Sequence, residues 1–205
     1  MAWPELGWRV TSRCARGKWA MATSVTRAGL ALLCFALTSH SAELPPPAYQ
    51  LAAHAANIPS EVLYSVALQE SGTRLRGQLV PWPWTLNVAG ASYRFATRAD
   101  ACTALIIALA QAGPKRVDVG LGQVNMGWNG QRFKSSNPCD ALNPYKNLDV
   151  AAQMLAELRA LGGDWITVAG RYHRPAGGAP AAKYRKAFAK HLSRVTGIQM
   201  LVTNP

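Results

Sequence analysis

No stretch of this 205-residue chain reaches the roughly 18 consecutive apolar residues that a membrane-spanning helix requires, which argues against an integral membrane segment. Histidine is scarce: His40, His54, His173 and His191 lie far apart, which excludes a metal site built on closely spaced ligands, and no cofactor is implied. Neither an arginine-rich block nor an aromatic RNA-binding motif occurs, so the formal charge of +12 is not the signature of a nucleic-acid binder. The sequence also lacks repeats, low-complexity tracts and any sign of a second core. With 49% hydrophobic residues, it suits one compact domain.

What is present begins with an export pattern. Arg9, Arg13, Arg16, Lys18 and Arg27 precede a ten-residue apolar run, residues 28–37, and small residues 39–42 follow it. Residues 1–42 are therefore expected to be a signal peptide that sends the chain to the periplasm. Met21 opens a better-proportioned signal and is an alternative start. The rival reading, a buried N-terminal helix, is opposed by the break at Glu43-Leu44-Pro45-Pro46-Pro47. The expected organisation is a Pro-rich linker at 43–48, one domain at 49–196 and a tail at 197–205.

Loss of the signal removes Cys14 and Cys34 and leaves Cys102 and Cys139, a pair expected to form one disulfide outside the cytoplasm. Two buried free thiols are the alternative. Processing leaves 17 basic against 9 acidic residues, a net charge of +8. In that compartment the natural target of such a charge is an anionic wall polymer.

Helical patterns are expected near 49–57, from Pro59 to Gly72, over 97–112, after Asn147 or Asp149, after Asp164, and over 179–195. Residues 82–95 alternate around a glycine turn as a β-hairpin does, and 117–145 reads as a long loop. The class is α+β, predominantly helical, with a small hairpin insert.

Glu70 falls on the apolar stripe of Leu63, Val66 and Ala67. Burial and the negative end of its helix both hold a proton on such a carboxyl, and a protonated acid near neutral pH is what glycosidic cleavage requires. On the stripe alone, a salt-bridged surface glutamate fits equally well.

The pair Glu70-Ser71, the loop Gly120-Leu121-Gly122-Gln123-Val124-Asn125, the Asn147-Leu148 pair and the turn Arg171-Tyr172-His173 occur in an order that resembles the lysozyme-like lytic transglycosylases. Gly122 stands where that superfamily usually has methionine, and His173 where it has asparagine. The resemblance implies a lysozyme-like fold, peptidoglycan strands as substrate, and Glu70 as the single catalytic acid. It also implies local wall opening in the company of a conjugation or secretion complex.

Gly120 and Gly122 can let backbone approach a sugar, and Gln123 and Asn125 can offer amides to its N-acetyl and hydroxyl groups. Ser71, Tyr172 and His173 are expected beside them. Trp84 and Trp128 can stack on sugar faces, although a core position is the commoner fate of tryptophan. Asp118 precedes the glycine loop as an aspartate does in animal lysozymes, so a muramidase hydrolase using Glu70 and Asp118 is the alternative. A peptidoglycan-binding assembly factor that has lost turnover is another. Ser71 lacks the base partner that a nucleophile needs, and both cysteines of the processed chain are expected to be tied up.

Overall fold

The computed structural model describes residues 42–199. The expected signal, with Met21, Cys14 and Cys34, lies outside them except for its last residue, as does most of the expected tail. The expected linker does not hang free. The Glu43 backbone N–H donates to the Val195 carbonyl, and the Glu43 carboxylate accepts from Tyr64 and Arg194. Pro47, with φ preset by its ring, then opens helix α1 (Pro47–Ala55).

Helix α2 (Ser60–Ser71) follows Pro59, and every residue from Val62 to Leu68 is buried. A helix apolar on all sides belongs at the centre of a domain, not on its surface. Three helices pack against it, α1, α5 (Pro144–Ala160) and α7 (Gly178–Thr196), and α6 (Trp165–His173) packs in turn on α5 and α7. Phe188, Leu63, Leu148 and Leu155 fill the space between them. Close approach of α6 and α7 depends on Gly170, where a Cβ would stand 2.7 Å from the Arg185 Cγ.

Gly72 ends α2 by turning the chain into a hairpin that the sequence reading missed: β1 (Gly72–Leu75) and β2 (Gln78–Pro81). Arg76 and Gly77 form its two-residue turn, both with positive φ (49° and 82°), as a primed turn demands. The expected hairpin at 82–95 exists as β3 (Thr85–Val88) and β4 (Ala91–Arg94), but it is only the edge of a larger sheet. The segment read as a long loop supplies the rest: β5 (Val117–Val119) pairs with β3, and β6 (Val124–Asn125) pairs with β5. The order is β4-β3-β5-β6, all antiparallel. Helix α4 (Met126–Asn129) and two 3₁₀ turns complete that segment.

Helix α3 (Arg98–Ala112), capped by Thr97, packs on this sheet around Leu86, Leu105, Val117 and Val119. The domain thus has two apolar clusters where one was expected. Helix α5 divides them, sending Leu148, Ala151 and Leu155 to one and Val150 to the other. Cys102 and Cys139 form the expected disulfide, tying α3 to the 3₁₀ turn Pro138–Leu142 with Cα atoms 5.2 Å apart. The class is α+β and mainly helical, with two small antiparallel sheets.

Candidate active site

Glu70 stands in the last turn of α2, where the helix emerges from the core. Its residue surface is only partly covered, yet protein atoms crowd it at longer range. Burial pushes its carboxyl up to about 7. The Tyr184 hydroxyl pulls it the other way, and the charge of Asp118 adds to the rise. Tyr184 is buried beside the carboxyl with its hydroxyl outside hydrogen-bonding geometry, so it acts here as a nearby dipole. Tyr184 lies on the buried face of the helix expected over 179–195.

The glycine loop is fastened opposite Glu70 by four side chains. The Tyr172 hydroxyl donates to the Gly122 carbonyl at 2.7 Å. Asn147 accepts from the Gly122 N–H at 2.8 Å and donates to the Val119 and Ala141 carbonyls at 2.9 and 3.0 Å. The Ser71 hydroxyl donates to the carbonyls of Ala67 and Leu121, each at 2.9 Å. The Gln123 amide donates to the carbonyls of Gly120 and Thr85.

Both loop glycines are required. Gly120 has φ +80°, and a Cβ there would lie 2.4 Å from the Asn147 amide; at Gly122 it would lie 2.7 Å from the Ala151 Cβ and 2.9 Å from the Tyr172 hydroxyl. Gly122, where a larger residue was the family expectation, is therefore a packing requirement of this chain.

Several expected contacts turn out to be structural. Ser71 is fully buried and joins α2 to the loop. Asn147 does not cap α5: Asn143 does, ahead of Pro144, and Asn147 lies buried within the helix. Asn125 spends both ends of its amide on protein. Its oxygen caps α4 through Gly127 and Trp128, and its nitrogen donates to Lys115 and Asp118. Trp84 packs against the sheet-side core rather than lining the cleft. Trp128, 63% exposed, does line it.

Six of the expected residues do meet. Glu70, Asp118, Gln123, Asn125, Tyr172 and His173 line one cavity of about 350 Å³. Asp118 projects from β5 opposite α2 and accepts from Asn125 at 2.8 Å. Burial raises its pKa, against the pull of Asn125 and His173. His173 stacks on Tyr184, with centroids 4.5 Å apart and planes 9° from parallel, and burial lowers its pKa. The imidazole is thus held neutral near pH 7, with its ring orientation fixed.

A second cavity of about 870 Å³ shares Asp118, Asn125, Tyr172 and His173 with the first and runs on past Trp128 and Arg174. Through this shared lining the two cavities form one groove. No cluster of metal-ligating side chains occurs among the described residues. The arrangement offers a carboxyl whose pKa is raised to about 7, a second carboxyl that accepts from Asn125, and a neutral imidazole, all within one cleft. Comparison with protein-family models, curated proteins and solved structures gives no match.

Proposed function

We propose that this protein is a lytic transglycosylase, cleaving the β-1,4 bond between N-acetylmuramic acid and N-acetylglucosamine in peptidoglycan with Glu70 as its acid. The observation that carries this reading is a carboxyl in an open groove with its pKa pushed up to about 7. Such a group is about half protonated at neutral pH, where an ordinary glutamate is almost wholly ionised, and can give its proton to a leaving glycosidic oxygen.

In the proposed reaction Glu70 protonates that oxygen as the bond to the muramic C1 breaks. The muramic C6 hydroxyl then attacks C1 and yields its proton to the Glu70 carboxylate, which restores the acid. A 1,6-anhydro end forms and no water is consumed. Tyr172 and the bonds of Ser71, Asn147 and Gln123 support the loop that would line the sugar site. The disulfide suits the oxidising, extracytoplasmic compartment in which such a substrate lies.

A muramidase is the second reading, favoured by Asp118, which faces the same cavity and could serve as base or nucleophile for a hydrolysis. Digestion of purified sacculi followed by mass spectrometry of the released ends separates the two. Anhydro ends are expected from the wild type and none from Glu70→Gln. Reducing ends would establish the muramidase, and unchanged digestion by Glu70→Gln would refute both. Sacculus binding without release would identify a non-catalytic wall-binding factor.

A further inference from the structure

The outward face of α7 is cationic. Lys183, Lys186 and Lys190 are exposed and recur at three- and four-residue spacing, which sets them on one stripe. Tyr184 and Phe188 occupy the buried side of the same helix. No acidic residue occurs from Trp165 to the C-terminus.

Beside the C-terminal half of α7 lies the β1–β2 hairpin, whose Arg74 shares a cavity of about 760 Å³ with Glu43, Lys190 and Arg194. Glu43 is the acid of this cavity and is neutralised by Arg194 at 2.7 Å. Arg74, Arg76 and the three lysines take part in no ion pair among the described residues.

Apolar side chains protrude from the same region. Leu75, between the two hairpin arginines, is 50% exposed, and Leu44 and Ile198 are 81% and 62% exposed. Leu44 is brought to the end of α7 by the bond from the Glu43 N–H to Val195, three residues before Ile198.

We propose that this face, the α7 lysine stripe with the β1–β2 hairpin, docks on an anionic phospholipid surface. Phosphate head groups attract the cations, while Leu44, Leu75 and Ile198 can enter the interface and leave water. A soluble anionic polymer would satisfy the lysines equally but would give the three apolar residues nothing to bury in, which favours lipid. Glu70 is met by Tyr184 on another side of α7, so the docked stripe does not cover the carboxyl.

Co-sedimentation of the full chain with vesicles of neutral phosphatidylcholine, with and without a third of phosphatidylglycerol, tests this. Binding is expected only to the anionic vesicles and is expected to weaken with salt. Lys183→Gln/Lys186→Gln/Lys190→Gln should weaken it on the order of 100-fold. A control of equal charge, Arg116→Gln/Lys134→Gln/Lys146→Gln, changes exposed cations of the sheet-side region and should weaken it by less than about tenfold. Leu75→Ser should lower binding several-fold at unchanged charge.

Equal loss in the two triple variants, equal binding to neutral vesicles, or wild-type binding by the α7 triple would each overturn the proposal. So would indifference to Leu75→Ser combined with tight binding of a soluble polyanion such as heparin, which would assign the face to a polymer instead.

Discussion

The cleft has two walls that hold their carboxylates by different means. Glu70 ends a helix buried on every side, and the hydroxyl beside it, that of Tyr184, makes no hydrogen bond. Asp118 lies on a three-residue strand and accepts a hydrogen bond from Asn125, which is itself fixed by three further bonds. Burial raises both, but a donor to the ionised form opposes it at Asp118 more directly. The two carboxyls of one cavity thus differ in their partners, and in the proposed reaction only Glu70, on the helical wall, carries the proton.

The sharpest way to break this contrast is to neutralise each carboxylate in turn. Glu70→Gln should lower sacculus digestion by at least about 1,000-fold, and Asp118→Asn by no more than about tenfold with anhydro ends retained, read by release of soluble muropeptides. A reversal of that ranking would transfer the chemistry to the sheet wall.

The walls also differ in how they are secured, since only the sheet side carries a disulfide. The Cys102–Cys139 link spans 37 residues, and Cys102→Ser/Cys139→Ser should cost about 4 kcal/mol in denaturant unfolding. On the helical side the expected signature is a pH dependence. Folded protein binds the Glu70 proton more tightly than unfolded protein does, so stability should fall as pH rises from 4.5 to about 7. The loss is on the order of 3 kcal/mol, and Glu70→Gln should abolish this contribution to the slope.

Gly122→Ala tests the seam between the walls. It should destabilise by about 2 kcal/mol in thermal unfolding, because Tyr172 or Ala151 must move. Tyr184→Phe should have the smallest effect: little change in stability, with the Glu70 midpoint moving upward as the hydroxyl dipole is lost.

Much of the helical wall was legible in the sequence because its signals are local. Asp164 caps the helix expected after it, the period of Tyr184, Phe188, Leu192 and Val195 marks the buried face of α7, and Glu70 stands where the apolar run of α2 ends. The sheet wall was not. Strands β5 and β6 have three and two residues, too few for alternation to register, although Val117-Asp118-Val119 does alternate. The β1–β2 hairpin carries one local signal, the Arg76-Gly77 turn, and it follows directly on Gly72, which reads equally well as a plain helix stop. Asn143-Pro144 was the true cap signal for α5, overlooked for Asn147 four residues later.

Roles within the site depended on packing that local pattern does not carry. Ser71 and Asn125 are polar residues near the acid, as expected, but their hydrogen bonds are spent on the protein. Whether a hydroxyl or amide faces substrate or backbone is decided by elements 40 or 50 residues away in sequence, as the Ser71 bond to Leu121 illustrates.

The claim on which the rest depends is that Glu70 titrates near neutral pH, well above an ordinary glutamate. Carbon-13 NMR titration of the glutamate side-chain carboxyls, assigned by comparison with Glu70→Gln, measures it directly. A midpoint near 7 is the predicted result, and a Glu70 resonance titrating near 4.5, like an ordinary solvated glutamate, would contradict the account.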